Sequence, residues 1–166
     1  MIIKERPEYQ QKSPALQFEQ NRMVKEAVDA MAAKNYGASA ITDEHGKLVG
    51  IFSERDLMRR VIAAGKDPAT TPLREVMTSD VRVASVDDDL LDWLRIMSNE
   101  RFRHLPVIEE GSKEIIMMSQ GDFVSYTWPQ LLHRVSEQTR ASLGGGFYPV
   151  LIIIGVLLYT LLLLLF

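Results

Sequence analysis

The chain of 166 residues has no cysteine, only three histidines and no charged residue after Arg140. Without cysteine there can be no disulfide, no thiolate zinc site and no thiol nucleophile. His45, His104 and His133 are scattered and lack the H-x-x-x-H spacing of a metal site. The formal net charge of −3 comes from interspersed acids and bases, without the basic stripe that a nucleic-acid surface needs. The opening MIIKERPEYQ carries charge early and no apolar stretch, so it does not read as a secretory signal. A nucleophilic arrangement of Ser53, Asp56 and His104 would need an oxyanion elbow, and no such motif is present. The chain is not expected to be an enzyme.

The missing charge at the C-terminal end leaves one long apolar run. Residues 147–166, FYPVLIIIGVLLYTLLLLLF, contain eight Leu and three Ile. At ~1.5 Å rise per residue a helix of that length crosses ~30 Å of hydrocarbon. These side chains contribute on the order of 5 kcal/mol to insertion. His133, Arg134 and Arg140 precede a GGG hinge, Pro149 suits a first helical turn, and Tyr148 suits a headgroup boundary. The expectation is a single-pass C-terminal membrane anchor holding a cytoplasmic domain.

Upstream, a shift of 66 positions lays residues 15–58 onto 81–124 without a gap. ALQF and VRVA read as short strands. Val24, Ala27, Val28 and Met31 share one helix face, as do Leu90, Trp93, Leu94 and Met97. Asn21 is a candidate cap for the first helix, and Ser85 with Asp88 for the second. Apolar runs then flank the turns DEHGK and EEGSK, the pattern of a hairpin. Each hairpin runs straight into SERDLMRRVIAAG or SQGDFVSYTWPQ, read as a further helix. The fold class is α+β, with two strand-helix-strand-strand-helix repeats packed as a pseudo-twofold module. The expected divisions are an N-terminal segment (1–14), two repeats (15–66 and 67–135), a Gly-containing linker (136–146) and the membrane helix (147–166).

Two side chains recur at the strand-to-helix corner: Ser53 and Asp56 in GIFSERD, Ser119 and Asp122 in IMMSQGD. Such a corner offers unpaired N–H groups to a phosphate, a hydroxyl that donates, and a carboxylate able to accept from both hydroxyls of a ribose. The same S-x-x-D pattern also serves as a simple helix cap. Arg55, Arg59 and Arg60 read as a solvated face, and Trp93 as packing.

The repeat, with GKLVGIFSERD, REVMT and FRHLPV in this order, resembles a tandem pair of CBS domains (a Bateman module) over residues 15–135. The resemblance implies a regulatory module that binds an adenosine-containing ligand between the repeats: AMP, ADP, ATP, an NAD-type dinucleotide or S-adenosylmethionine. It implies that Ser53 and Asp56 work with Arg103 and His104 of the other copy's hairpin, and Ser119 and Asp122 with Gly37 and Ala38. The second corner is then the poorer one: Gly37 and Ala38 bring no charge, and Ile116, where the first copy has Gly50, brings a Cβ expected to crowd a sugar. It further implies a homodimer and, given the expected anchor, a membrane-protein partner. The alternative is a degenerate pair that binds no ligand and serves as a dimerisation scaffold.

Overall fold

The computed structural model describes residues 2–123 together with Ile154, Gly155, Leu157 and Leu158. The chain divides into two compact units, Met1–Phe123 and Val124–Phe166. Everything that bears on function below lies in the first.

The first repeat runs β1 (Gln17–Glu19), α2 (Val24–Lys34), β2 (Ala38–Thr42) and β3 (Leu48–Ser53) into the short helix α3 (Glu54–Asp56). Before it lies α1 (Pro7–Gln10). The second repeat runs β4 (Ala84–Ser85), α4 (Leu90–Glu100), β5 (His104–Ile108) and β6 (Ile115–Ser119). α2 and α4 start and end 66 residues apart, and so do β2 and β5, as the sequence shift requires. Each repeat forms a three-stranded sheet, ordered β1-β2-β3 and β4-β5-β6. In both, the first strand pairs parallel with the middle one, and the hairpin pairs antiparallel. The turns close on Gly46 and Gly111, whose φ values of 80° and 79° suit glycine.

Apolar spacing decides what is inside. Val24, Ala27 and Met31 of α2 meet Ile41, Phe52 and Val61 in one core. At roughly 1.5–3 kcal/mol for each fully buried large aliphatic or aromatic side chain, this packing is what holds the small sheet and its helix together. Leu73 and Val76 also belong to this core, although they follow the repeat in sequence.

The caps differ from expectation. Met23 rather than Asn21 precedes α2, and its N–H donates to the Glu26 carboxylate at 3.4 Å. Asn21 instead accepts from Arg74. On α4 the cap is Asp89, whose carboxylate accepts from the N–H groups of Leu91 (2.8 Å) and Asp92 (3.2 Å). Asp88 accepts from the Ser85 N–H at 2.8 Å and from the Trp93 indole at 2.9 Å. Two adjacent aspartates are therefore needed, one for the helix start and one for the strand end.

The segment ahead of each repeat packs on the other one. Ahead of β1, the Ile3 and Lys4 N–H groups donate to the carbonyls of Asp88 (3.0 Å) and Val86 (2.9 Å) in the second repeat. Ahead of β4, the Leu73 and Arg74 N–H groups donate to Arg22 and Gln20 in the first, both at 2.9 Å. Each lead forms one short 3₁₀ turn, Ile3–Glu5 or Leu73–Glu75, and each buries its leading aliphatic completely. Residues 2–14 are thus no free-standing segment; they complete the second repeat. The stretch around Leu73 and Val76 does the same for the first.

The helix after β3 is also unlike the expectation of one regular helix. Beyond Asp56 it continues as a π-helical stretch, Leu57–Ile62. In the second copy helical geometry runs over residues 120–123, and the rest of the expected helix lies outside the described residues.

The membrane location read from the sequence is corrected. Among the described residues no helix is long and apolar enough to cross a membrane. A span needs a continuous apolar helix of ~20 residues, and the described residues contain none. Most of residues 147–166, and the whole of the expected 136–146 linker, lie outside the described residues.

Candidate functional site: two corners and the cavities beside them

At the first corner β3 ends in extended geometry at Ser53 (φ −125°, ψ 166°), and the chain turns into α3. The Asp56 carboxylate accepts from the Ser53 N–H at 3.0 Å and from its hydroxyl at 2.6 Å. The Asp56 N–H returns a bond to the Ser53 Oγ at 3.4 Å. This reciprocal capping box satisfies donors that the helix start leaves open. The other carboxylate oxygen accepts from the Thr78 hydroxyl at 3.1 Å and lies 3.4 Å from the Arg60 guanidinium. Asp56 is buried, at 7% exposure, and a buried carboxylate needs these partners.

Thr78 arrives because the inter-repeat chain crosses the edge of β3. Ile51 and Thr78 exchange both backbone hydrogen bonds, at 2.9 and 2.8 Å. Gly50 permits the crossing: a Cβ there would stand 2.5 Å from the Met77 Sδ and 3.1 Å from the Thr78 carbonyl. Gly50 therefore makes room for the linker, not for a sugar. The expectation that Ile116 crowds a ligand at the second corner loses its basis, since Ile116 is buried and does not line the second cavity. Arg60 is corrected too. Besides facing Asp56, it donates to the carbonyls of Val76 and Met77, so it fastens the linker rather than facing solvent alone.

The second corner repeats the box. The Asp122 carboxylate accepts from the Ser119 N–H at 2.6 Å and its hydroxyl at 2.7 Å. The further partner is different: the Lys12 ammonium, at 2.8 Å. Burial raises the Asp122 pKa, but the bonds from Lys12 and Ser119 outweigh it and hold the carboxyl below its ordinary value. Asp122 is half-buried, against the nearly closed Asp56. Each corner is fixed to its own hairpin by one bond, Glu54 N–H to the Gly37 carbonyl (3.1 Å) and Gln120 N–H to the Arg103 carbonyl (2.9 Å).

Three cavities adjoin the corners. The first, about 110 Å³, is lined by Ser53, Glu54, Arg55, Asp56, Ile51 and Thr78, and from the second repeat by Phe102, Arg103 and His104. A second, about 220 Å³, is lined by Ser119, Met117 and His104, by residues 35–38 of the first repeat, and by Lys12, Ser13 and Ala15. A third, about 250 Å³, shares Ile51, Thr78, Phe102 and His104 with the first and adds Asp80, Val81, Arg82 and Glu100. Arg82 is paired with Glu100 through two bonds of 3.0 and 3.1 Å. Ser53, Asp56, Arg103 and His104 thus line one cavity. Ser119 lines another with Gly37 and Ala38, while Asp122 stands behind it, joined to Lys12.

His104 borders all three cavities. Burial lowers its pKa, Arg103 lowers it further, Lys12 and Arg55 add to that, and Glu54 alone opposes. These influences favour the neutral imidazole. Among the described residues no group of His, Asp and Glu is placed to hold a metal ion.

Sequence reasoning gave Thr78, Lys12 and Arg55 no site role. Thr78 is the last residue of REVMT, a motif that marked the resemblance without revealing which group its hydroxyl would meet. Arg55 donates to the Arg101 carbonyl at 2.9 Å, which ties the first corner to the second repeat. Lys12 carries no sequence signal, because it lies outside the repeated segment.

Comparison with known proteins agrees with this fold. The CBS-domain family matches residues 13–63 and 73–116. A putative signal-transduction protein with CBS domains from Burkholderia ambifaria is 30% identical, with TM-score 0.65 over 75% of this chain and 89% of its own. The CBS-domain pair of protein MJ0100, solved in complex with 5-methylthioadenosine and S-adenosyl-L-methionine, is 23% identical, with TM-score 0.67 over 78% of this chain and 98% of its own. CBSX2, solved in complex with AMP, is 20% identical, with TM-score 0.60 over 77% of this chain and 96% of its own. At those last two identities the likeness speaks for the fold alone. The chain spans about half or less of the first curated relatives it matches; an uncharacterised 17.7 kDa protein of Acidianus ambivalens is 36% identical over 93 residues, 56% of this chain and 55% of that protein. With the repeat, the paired sheets and the family match in agreement, this chain belongs to the CBS-domain family, as a tandem pair.

Proposed function

We propose that this CBS pair is a regulatory module that binds an adenosine-containing ligand at the first corner and passes its occupancy on to a partner protein. One observation carries the reading: Ser53 and Asp56 of one repeat and Arg103 and His104 of the other line the same cavity. A carboxylate that accepts from diols, a hydroxyl and an arginine fit a ribose with a phosphate. The adjoining third cavity, with Ile51, Val81 and Phe102, offers an apolar wall for a base. Together the two reach the lower end of the size range of small-molecule sites, about 300 Å³. The complexes of MJ0100 and CBSX2 support the ligand class.

A ribose reaching Asp56 competes with Thr78 and Arg60 for the same carboxylate oxygen. Occupancy therefore bears directly on the inter-repeat chain, which Thr78 pairs with β3 and Arg60 fastens through the Val76 and Met77 carbonyls. Met58 and Ile62, at 67% and 63% exposure beyond this corner, offer an apolar face for a second copy. Light scattering on the chain is expected to report a dimer, and a monomer at all accessible concentrations would refute that assembly.

One observation favours a second reading. Both Asp56 oxygens already have protein partners, as in a corner that serves only to cap a helix and hold the linker. Calorimetric titration of the full chain with AMP, ATP and S-adenosylmethionine separates the two. Saturable binding is expected; no heat with any of the three would leave the scaffold reading.

A further inference from the structure

We infer that Arg55, Arg59, Arg101 and Arg103 form a docking surface for an acidic segment of a partner protein. The inference rests on reading the pair as a regulatory module, and it names the chemistry of the partner. All four residues are exposed, and among the described residues none has a carboxylate at ion-pair distance. Elsewhere cations such as Lys4, Lys25, Lys66 and Arg82 each face a carboxylate. The four lie together: Arg55 donates to the Arg101 carbonyl at 2.9 Å, and Arg55 and Arg103 line the first cavity from opposite repeats. Arg59 lies one turn beyond Arg55, in the π-helical stretch. Of the nearby carboxylates, Asp56 is buried in its capping box and Glu100 is taken by Arg82. That leaves Glu54, whose Oε2 stands against Gly37, as the one exposed acid beside four guanidinium groups.

The fold does not require this charge. At the matching positions of the other copy the sequence has Gly121, Ser125, Asn35 and Gly37. Asn35 and Arg101 both hold the left-handed conformation at a helix C-terminus, with φ of 54° and 58°. Asn suits that place, whereas Arg carries a Cβ penalty with no compensating capping bond of its own. A cluster of like charges also opposes the compact state by self-repulsion. The positive field reaches His104, whose pKa is lowered first by burial and then by Arg103, with Arg55 adding to it. Arg59 and Arg101 line none of the three cavities, so a small ligand held there does not account for them. A partner lying across the outer surface does. Guanidinium groups take carboxylates in bidentate pairs, and a short acidic segment matches a compact patch. A nucleic acid needs a longer basic track than this net-negative chain provides.

Fluorescence anisotropy with a labelled oligo-glutamate peptide, on the full chain at about 0.15 M salt, tests this. Saturable binding is expected. Arg59→Ser with Arg101→Asn, which copies the residues of the other repeat, should weaken it by about 3- to 30-fold, the loss of two exposed ion pairs. Lys47→Gln with Lys113→Gln removes the same charge from the two hairpin turns and should change nothing. Circular dichroism confirms that the variants are folded. Equal weakening by both pairs would reduce the effect to net charge and overturn the inference, as would no weakening by the arginine pair. An oligo-dT strand bound as tightly, with the same dependence on the arginines, would assign the surface to nucleic acid and also overturn it. So would a change of oligomeric state in the arginine variant, which would assign the surface to a second copy. AMP binding should be unchanged by the arginine pair. Peptide uptake by a chain that takes up no AMP would refute the nucleotide reading and keep this one; AMP uptake without peptide uptake would do the reverse.

Discussion

The two corners carry the same Ser and Asp in the same reciprocal box, yet they are completed by different chemistry. At the first, a threonine hydroxyl from the inter-repeat chain reaches Asp56, which is nearly closed off from solvent. At the second, a lysine ammonium from the N-terminal lead reaches Asp122, which keeps some solvent contact. Both extra partners come from segments that precede one repeat and pack on the other. The repeats therefore supply the common frame, and the leads supply the differences. The first corner's extra partner is a neutral hydroxyl, and the second corner's is a cation.

The largest expected effect concerns those leads. Ile3 and Leu73 are fully buried at equivalent places in the two repeats. Truncating either to Ala should cost about 2–5 kcal/mol, from lost burial and the cavity left behind. Urea unfolding monitored by circular dichroism measures both. If Ile3→Ala is neutral while Leu73→Ala is costly, the leads are not equivalent, and the N-terminal segment is only an appendage.

Gly50 sharpens the comparison at the next scale. Gly50→Ala places a methyl against the Met77 thioether, which can yield, and the Thr78 carbonyl, which cannot easily. Overpacking of this kind costs about 1–3 kcal/mol. Ile116→Ala, at the matching position of the second repeat, should also destabilise, but through lost burial. A stabilising Gly50→Ala would show that the linker is not held against β3 as described.

The smallest effect is that of pH. Burial and then Arg103 depress the His104 pKa below its unfolded value. A histidine so depressed favours the folded state fully above its unfolded pKa of about 6.5. That contribution falls as the pH drops toward the lower folded value. Between pH 7 and 5 the wild type should therefore lose stability more steeply than His104→Gln, measured by thermal unfolding across the range. Equal slopes would mean that the imidazole is not held neutral between the corners.

Much of this arrangement was legible in the sequence because it repeats. The 66-residue shift placed α2 over α4 and β2 over β5, and the shared S-x-x-D located both corners. The exchanged leads were not legible: IIKE and PLRE match too weakly, and at a different spacing, to register as part of the repeat. Thr78 and Lys12 sit in those leads, so each reaches its aspartate only through tertiary packing. Arg60 looked like one of three solvated arginines, but its carbonyl partners come from the linker. The Ile116 argument failed because a glycine in a strand can mark close approach by another backbone as well as by a ligand. The membrane expectation rested on an uncharged apolar run of 20 residues and the positive charges before it, and no described helix is long and apolar enough to cross a membrane.

The central claim is that the cavity built by Ser53 and Asp56 with Arg103 and His104 holds an adenine nucleotide. Titrating AMP into the wild-type chain and into Asp56→Ala by calorimetry tests it most directly. Removing a carboxylate that accepts from the ribose should weaken one event by about 10- to 100-fold. In parallel, Arg103→Ala should weaken AMP more than adenosine, because only the phosphate meets the guanidinium. An Asp56→Ala variant that binds AMP as tightly as the wild type, or a wild type that takes up none at about 1 mM, would contradict the account.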